Sequence, residues 1–186
     1  AVIAYPAGLL DIEFAHEAMA HPLIRGFLQK VEQEEIIPIV PPVPDTDLQQ
    51  YFQKIEERFA NPKIGDTIKR LCLDGSNRQP KFIIPSIADR LANGAGVDGL
   101  ALESALWCRY CYGTAENGKE IAPNDPNWDR LVPVARSARE NPDAWLAMDD
   151  IYGDTGTSAV FRERFATMLT AVWADGAAIC QSRLSA

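Results

Sequence analysis

The chain has 186 residues, of which 47% are apolar and 24% are charged, and its formal net charge is −8 at pH 7. This composition supplies one ordinary hydrophobic core, so it excludes a disordered chain and favours a single domain over residues 1–186. The acidic balance argues against nucleic acid or an anionic membrane as the main partner, because phosphate groups select proteins that neutralise them.

Apolar residues recur at helical spacing along almost the whole chain. No run of about 18 apolar residues is present, and the first ten residues lack the basic start of a secretion signal. We therefore expect a cytoplasmic protein without a membrane span. No stretch alternates apolar and polar residues long enough to require a strand. The sequence thus predicts an all-α, multi-helical domain.

The first predicted helices flank a proline-rich connector. Residues 23–31 carry an apolar stripe, and the prolines of residues 36–44 predict an extended segment. A capping box of Thr46 with Gln49 then predicts a helix that stops at residues 61–62.

Later helices surround a polar segment. The helix that starts near Ile64 is expected to end at Gly75, and Ser86 with Asp89 is expected to open the next one. Asp98 is expected to cap a long buried helix. The remaining helices are predicted at residues 98–110, 128–139, 142–145, 158–173 and 176–184.

A glycine pattern at residues 94–99 matches the dinucleotide-binding fingerprint letter by letter. That fingerprint works only where a strand leads into it and a helix receives the pyrophosphate at its N-terminus. Here a predicted helix leads in, so we interpret the pattern as a helix end followed by a new helix start. The domain is not expected to bind NAD by itself.

The cysteines and histidines predict no metal site. Cys108 and Cys111 have the spacing of a redox or zinc pair, but they lie in an apolar predicted helix without a second pair. We expect reduced, buried thiols at all four cysteines, Cys72, Cys108, Cys111 and Cys180.

The two histidines lie five residues apart. We interpret His16 as a helix-surface residue and His21 as a cation at a helix C-terminus, where the helix dipole favours positive charge. Spacing alone assigns neither residue as a general base.

The strongest candidate site is a cationic stretch in this acidic chain. Residues 58–90 hold seven Lys or Arg against three Asp or Glu, a balance of +4, whereas the remaining residues carry −12. Polyol hydroxyls donate and accept hydrogen bonds, so a polyol site needs acceptors beside fixed cations. We call residues 66–81 the cationic segment, and its candidates are Arg70, Asp74, Asn77, Arg78, Gln79 and Lys81. Arg70 lies one turn before Asp74, so we expect the two to face one pocket. The alternative is a solvated loop between helices.

Three stretches carry a family resemblance, namely Asp66-Thr-Ile with Arg70, Asp74-Gly-Ser-Asn-Arg-Gln-Pro-Lys-Phe82, and Ala122-Pro-Asn-Asp-Pro-Asn-Trp128. They resemble the C-terminal domain of mannitol 2-dehydrogenases, which are metal-independent, long-chain polyol dehydrogenases. The similarity runs essentially from end to end, and the stretch from Asp74 is its most specific part.

The resemblance implies the C-terminal, substrate-binding half of a two-domain enzyme. An N-terminal dinucleotide-binding domain, absent from this chain, would deliver NAD. A catalytic lysine, asparagine and histidine, spaced Lys-x4-Asn-x2-His, would end immediately before Ala1, so the chain alone is expected to be inactive.

By position, Arg70 and Arg78 match substrate-contacting cations that orient the polyol toward nicotinamide. Lys81 is added as a supporting residue of the substrate site, and Asp66 and Asn77 are interpreted as loop and cap residues.

The function implied is the NAD-dependent interconversion of mannitol and fructose. The expected partners are a polyol or ketose substrate and the N-terminal domain. Two alternatives stay open. One is a related oxidoreductase of arabinitol, sorbitol or fructuronate. The other is a non-catalytic helical interaction module, to which the apolar residues 1–10 would contribute an exposed face.

Overall fold

The computed structural model describes residues 1–178 of the chain, and these residues form a helical domain. Within them there is no β-strand, and only two isolated bridges occur, from Phe14 to Thr67 and from Thr114 to Glu120. The all-α prediction is confirmed. The α-helices are α1 (Ala4–Leu9), α2 (Ala15–Ala20), α3 (Pro22–Lys30), α4 (Leu48–Phe59), α5 (Ile68–Leu71), α6 (Gly75–Arg78), α7 (Ile84–Ala92), α8 (Asp98–Cys111), α9 (Trp128–Ala138), α10 (Asp143–Leu146), α11 (Asp149–Tyr152) and α12 (Ala159–Asp175).

Tighter and wider helical turns connect several of these helices. The π-helical turns are Val31–Ile36 and Gln79–Ile83. Short 3-10 turns occur at Ile37–Ile39, Pro62–Ile64, Gly153–Thr157 and Gly176–Ala178.

Helix α8 is the axis of the core. Each of its residues from Gly99 to Cys111 is buried, because α12, α1 and α9 pack around it. A helix that is apolar on all sides is stable only when it is surrounded in this way. At its centre, Trp107 meets Trp145 edge to face with ring centroids 4.8 Å apart, and the Trp145 indole donates to the Tyr152 hydroxyl at 2.8 Å.

The apolar start of the chain is part of this core. Val2 and Ile3 are buried, and so is α1 except for Gly8, because α1 packs between α5 and α8. Tyr5 lies against the rings of Trp107 and Tyr110. The prediction that residues 1–10 contribute an exposed apolar face is therefore wrong. A segment without a polar face is stable here because both of its sides are covered.

The cap of α4 differs from the predicted one by a single residue. Asp47, not Thr46, is the N-cap, and its carboxylate accepts from the backbone N–H of Gln49 and Gln50 at 2.9 and 3.2 Å. Both residue types are good caps. The sequence located the helix correctly, but it did not distinguish between the two adjacent candidates.

The segment predicted as a polar loop is helical. Gly75 begins α6 instead of ending α5, and α6 continues directly into the π-helical turn at Gln79–Ile83. Pro80 has no N–H and its ring obstructs regular α-helical bonding, which accounts for the wider turn. Helix α7 then begins at Ile84, two residues before the predicted start.

The other predictions on helices and side chains are largely confirmed. His21 ends α2, α9 and α12 lie close to their predicted bounds, and Ser158 caps α12. Cys72, Cys108 and Cys111 are buried free thiols, and burial raises the pKa of the last two. Cys180 and most of the helix predicted at residues 176–184 lie outside the described residues.

No helix within the described residues is long and apolar enough to cross a bilayer.

The glycine pattern after α7 is a helix end followed by a helix start, as predicted. Gly94 has a φ of +65°, which ends α7 in a left-handed conformation. The predicted cap at Asp98 is wrong, because its side chain does not bond to the helix. Instead, the carboxylate of Glu35 accepts from the N–H of Gly99 at 2.6 Å and of Leu100 at 2.9 Å.

The backbone around Glu35 is fixed by a buried arginine. Arg90 donates to the carbonyls of Glu34, at 2.8 Å, and Glu35, at 3.2 Å, and it also donates to the carbonyl of Gly96. Burial raises the pKa of Glu35, against the opposing effect of the two N–H donors and of Arg90. The start of α8 is therefore held from a distant part of the chain.

We predict that Glu35→Ala lowers the free energy of unfolding by about 2 to 4 kcal/mol, because it leaves two buried N–H groups without an acceptor. Urea unfolding measures the loss. The control is Glu34→Ala, which removes an exposed neighbouring carboxylate and should cost less than about 0.5 kcal/mol. Equal, small losses in both variants would contradict the capping role of Glu35.

Candidate functional site

Arg70 is held by the aspartate that precedes its helix. The Thr67 hydroxyl caps α5 by accepting from the Arg70 N–H at 3.3 Å. The Arg70 guanidinium then donates twice to the Asp66 carboxylate, with Nε to Oδ1 at 2.5 Å. This pair lowers the pKa of Asp66 and raises that of Arg70. The Asp66 carbonyl also accepts from the Ala15 N–H, which ties the segment to α2.

Arg70 opens on a cavity of about 300 Å³ between α2, α4 and α5, which we call the Arg70 cleft. His16 and Arg58 add polar groups to its wall, and Ile55 and Phe59 add apolar ones. Arg70 itself is exposed at 59% of its side chain, so part of its guanidinium faces solvent.

Arg78 opens on a second cavity, of about 580 Å³, which we call the Arg78 cleft. Ile55 and Phe59 of α4 line this cleft as well, so the two cavities adjoin along that helix. The side chain of Arg78 is exposed, and its contact with the Leu71 carbonyl is long, at 3.4 Å. The two predicted arginines therefore lie on adjoining clefts, and their contact with a substrate stays a prediction.

The other predicted residues are placed differently. Lys81 is exposed, it lines neither cleft, and it forms no ion pair with Asp74 within residues 1–178. The Asp74 carboxylate accepts from Asn77 at 2.6 Å instead. The carboxylate beside Arg70 is that of Asp66, so the expectation that Asp74 shares a pocket with Arg70 is wrong. Asp66 lies in the loop before α5, as interpreted, and its carboxylate also pairs with Arg70.

The backbone of α6 is pressed against the core at Gly75. A Cβ atom at this position would lie 2.6 Å from the Trp107 indole nitrogen and 2.8 Å from the Tyr5 hydroxyl, so only glycine fits. The preceding residue, Asp74, has a φ of 62°, a left-handed conformation that costs energy for a non-glycine residue. External contacts must therefore stabilise this turn.

One such contact comes from the loop at residues 122–128. The Asp125 carboxylate accepts from the N–H and the hydroxyl of Ser76, both at 2.7 Å. The Asn127 side chain donates to the same hydroxyl at 2.9 Å, and the Asn124 carbonyl accepts from the Asp74 N–H at 3.1 Å. Two of the stretches that carried the resemblance are thus in direct contact.

A second contact lies beneath the π-helical turn. Gln79 donates to Glu103 Oε1 at 2.8 Å, and both side chains are almost fully buried. The other oxygen of Glu103, Oε2, has no hydrogen-bond partner within residues 1–178. Burial raises the pKa of Glu103 to about 7. Arg78 therefore lies one residue before a buried amide–carboxyl contact.

Sequence reasoning missed Ser76, Glu103 and Asp125. Glu103 had a visible signal, since it is the only charged residue from Gly99 to Cys108 in an otherwise apolar helix. Ser76 and Asp125 had none, because each needs a partner 49 residues away.

Within the described residues, no group of three or more His, Cys, Asp or Glu side chains could hold a metal ion.

We predict that Glu103→Gln changes how stability depends on pH. Between the ordinary glutamate pKa of 4.5 and about 7, the folded protein keeps a proton that the unfolded chain has released. The contribution of Glu103 to the free energy of unfolding therefore falls as pH rises through this window. The variant avoids that loss and should be more stable than the parent at pH 8, by on the order of 3 kcal/mol.

Urea unfolding at pH 5 and pH 8 compares the two proteins. Glu140→Gln, which alters an exposed carboxylate, is the control and should give the same difference from the parent at both pH values. A Glu103→Gln difference that does not grow with pH would disprove the neutral, buried state of Glu103.

Comparison with known proteins places this geometry in a family. The model of the mannitol dehydrogenase C-terminal domain matches residues 1–173. A mannitol 2-dehydrogenase of Cereibacter sphaeroides is 59% identical over 177 residues, which is 95% of this chain and 37% of that protein. A mannitol 2-dehydrogenase of Aspergillus terreus is 34% identical over 94% of this chain and 35% of its own length. The chain thus spans just over a third of these relatives.

Two solved structures share the fold. The Pseudomonas fluorescens mannitol 2-dehydrogenase, in a ternary complex with NAD and D-mannitol, aligns with a TM-score of 0.91 and 29% identity over 96% of this chain and 37% of that one. A substrate-free D-sorbitol dehydrogenase aligns with a TM-score of 0.86 over 97% of this chain and 37% of that one, and its 17% identity makes it evidence for the fold alone. The chain belongs to the mannitol dehydrogenase C-terminal domain family.

Proposed function

We propose that this chain is the substrate-binding half of an NAD-dependent polyol dehydrogenase that interconverts D-mannitol and D-fructose. The observation that carries the proposal is the placement of Arg70 and Arg78 on adjoining clefts that share Ile55 and Phe59. The family match and the mannitol-bound relative support it. The remaining part of the enzyme would contain the dinucleotide-binding domain.

The chemistry divides between the two halves. Oxidation of a secondary alcohol needs a base for the hydroxyl proton and stabilisation of the developing alkoxide. The lysine, asparagine and histidine expected before Ala1 would perform these steps. In this chain, Arg70 and Arg78 donate hydrogen bonds to the polyol hydroxyls and orient the carbon chain.

The coenzyme would accept the hydride from the polyol. The glycine pattern of this chain does not fit the pyrophosphate of such a coenzyme. The start of α8 would be the anion-binding position of a dinucleotide fingerprint. Here the Glu35 carboxylate already accepts from the N–H groups of Gly99 and Leu100, so a pyrophosphate would meet a negative charge. We therefore assign coenzyme binding mainly to the other domain.

The ion pair at Arg70 favours a neutral substrate. Asp66 engages two donors of this guanidinium and offsets its charge. A uronate substrate would bring a second carboxylate to an arginine that already has one, whereas a polyol needs only the remaining N–H donors. This contact favours mannitol, sorbitol or arabinitol over fructuronate.

The interaction-module alternative is weakened by the burial of Val2, Ile3 and all of α1 except Gly8. Coenzyme binding by the full-length protein separates that alternative from an enzyme. The cytoplasmic location expected from the sequence stays a prediction.

We predict that Arg70→Ala and Arg78→Ala, each made in the full-length enzyme, lower kcat/KM for mannitol by about a hundredfold, because the polyol loses its orientation. Steady-state kinetics with varied mannitol measures the effect. The affinity for NAD, measured by fluorescence titration, should not change.

Arg162→Ala is the matched control, because Arg162 is also an exposed arginine that donates twice to an aspartate, Asp143. It should retain the parental kcat/KM. Turnover of mannitol, sorbitol, arabinitol and fructuronate by the parent enzyme tests the substrate class. A preference for fructuronate would refute the proposed substrate class, and unchanged kinetics in both cleft variants would refute the site assignment.

A further inference from the structure

We propose that Asp125 is a positioning residue for the substrate site: it holds the turn that carries Arg78 at the mouth of the Arg78 cleft. The inference rests on the proposed function, since it concerns the polyol-orienting role of Arg78. Asp125 is in the loop at residues 122–128 and lines neither cleft. It would therefore act through α6 without touching the substrate.

The Asp125 carboxylate connects the loop at residues 122–128 to α6, and we call this set of hydrogen bonds the brace. The Oδ2 atom of Asp125 accepts from the Ser76 N–H, and its Oδ1 atom accepts from the Ser76 hydroxyl and from the Asn127 N–H at 2.8 Å. Hydrogen bonds to a carboxylate are shorter and stronger than those between neutral groups. All three donors are in place at once, so the carboxylate connects the loop rigidly to the second residue of α6.

Helix α6 needs such a brace because it is too short to stabilise itself. It has four residues, Gly75–Arg78, and a single isolated helical turn is unfavourable in water. Its N-cap, Asp74, also has the left-handed conformation noted above and no capping hydrogen bond from its side chain. The support must come from other parts of the fold.

The position of Arg78 follows from this backbone support. Its side chain is exposed, and its long 3.4 Å contact with the Leu71 carbonyl does not fix the guanidinium. Asp125 holds the backbone two residues before Arg78, and the Gln79–Glu103 contact holds it one residue after. The brace therefore fixes the backbone position of Arg78, from which its side chain extends to the substrate.

Preorganisation gives this brace a catalytic consequence. An arginine whose backbone is already placed loses less conformational freedom when it binds the polyol. Without the brace, ordering this arginine would consume part of the free energy of polyol binding. Loss of the brace should therefore affect polyol binding while the fold remains intact.

Asp125→Asn in the full-length enzyme tests the inference. The asparagine keeps the size of the side chain, but its NH2 group replaces one of the two carboxylate oxygens. This group then faces either the Ser76 N–H, or the Ser76 hydroxyl and the Asn127 N–H. In either orientation a hydrogen bond is replaced by a donor–donor contact. We expect KM for mannitol to rise about tenfold, with kcat within about threefold of the parent and KM for NAD unchanged. Amide hydrogen exchange at residues 75–83 should become faster than in the parent.

Two further variants make the test specific. Asp129→Asn removes an exposed carboxylate at the start of α9 and should leave KM unchanged. Ser76→Ala removes the hydroxyl donor and should raise KM like Asp125→Asn. The double variant should be no worse than the stronger single variant, because both changes break one contact.

A merely structural role would give a different result. The melting temperature of Asp125→Asn would fall, but its KM for mannitol and its amide exchange rates at residues 75–83 would equal those of the parent. Either an unchanged KM or an unchanged exchange rate would overturn the inference. Failure of the proposed function is distinguishable, because the parent enzyme would then not oxidise any polyol. Even then, unchanged hydrogen exchange in Asp125→Asn would refute the brace.

Discussion

The close approach of Gly75 to the core is the constraint on which the candidate site depends. With the Trp107 indole and the Tyr5 hydroxyl so near, the backbone of α6 lies directly on α1 and α8. A side chain at this position would lift the whole turn, and with it Arg78, away from the Arg78 cleft. The strained conformation of Asp74 is the consequence, since the chain must turn sharply to reach that contact. The packing at Gly75 thus determines the course of the backbone. The Asp125–Ser76 and Gln79–Glu103 hydrogen bonds, on the two sides of Arg78, then stabilise it.

Much of the fold could be predicted from periodicity, but the helical state of residues 74–81 could not. Apolar spacing locates α4, α8, α9 and α12 because each buries a long face. The turn at Gly75–Arg78 has no such face, and Pro80 argues against a helix. It is helical only because tertiary contacts hold it. The cap of α8 was missed for a related reason, since Glu35 lies 64 residues before the N–H group that it accepts from.

The candidate site divides in the same way into local and distant parts. The excess of cations in residues 58–90 and the resemblance together pointed to Arg70 and Arg78. Asp66 lies four residues before Arg70, the spacing of a helical ion pair, so its contact with Arg70 had a local signal that the interpretation as a loop residue did not use. Asp125 had no local signal, because its contact with Ser76 exists only once α6 and the loop at residues 122–128 meet. Sequence therefore identifies candidate ligand-binding side chains more readily than contacts between segments that are distant in the chain.

Each of the two π-helical turns brings one polar side chain to α8. The first of these contacts explains the glycine pattern that resembled a nucleotide site. The turn Val31–Ile36 places Glu35 at the start of α8, and the turn Gln79–Ile83 places Gln79 against Glu103 in its middle. A wider turn shifts the direction of its side chains relative to a regular helix, which is how such turns re-aim functional groups. Glu35 can reach α8 only if the helix is bare there, because a Cβ at Gly99 would lie 2.7 Å from Val31 and 3.0 Å from the Glu35 carboxylate. The last glycine of the pattern is thus required by a carboxylate of the protein itself, in the position where a dinucleotide fold would accept a phosphate.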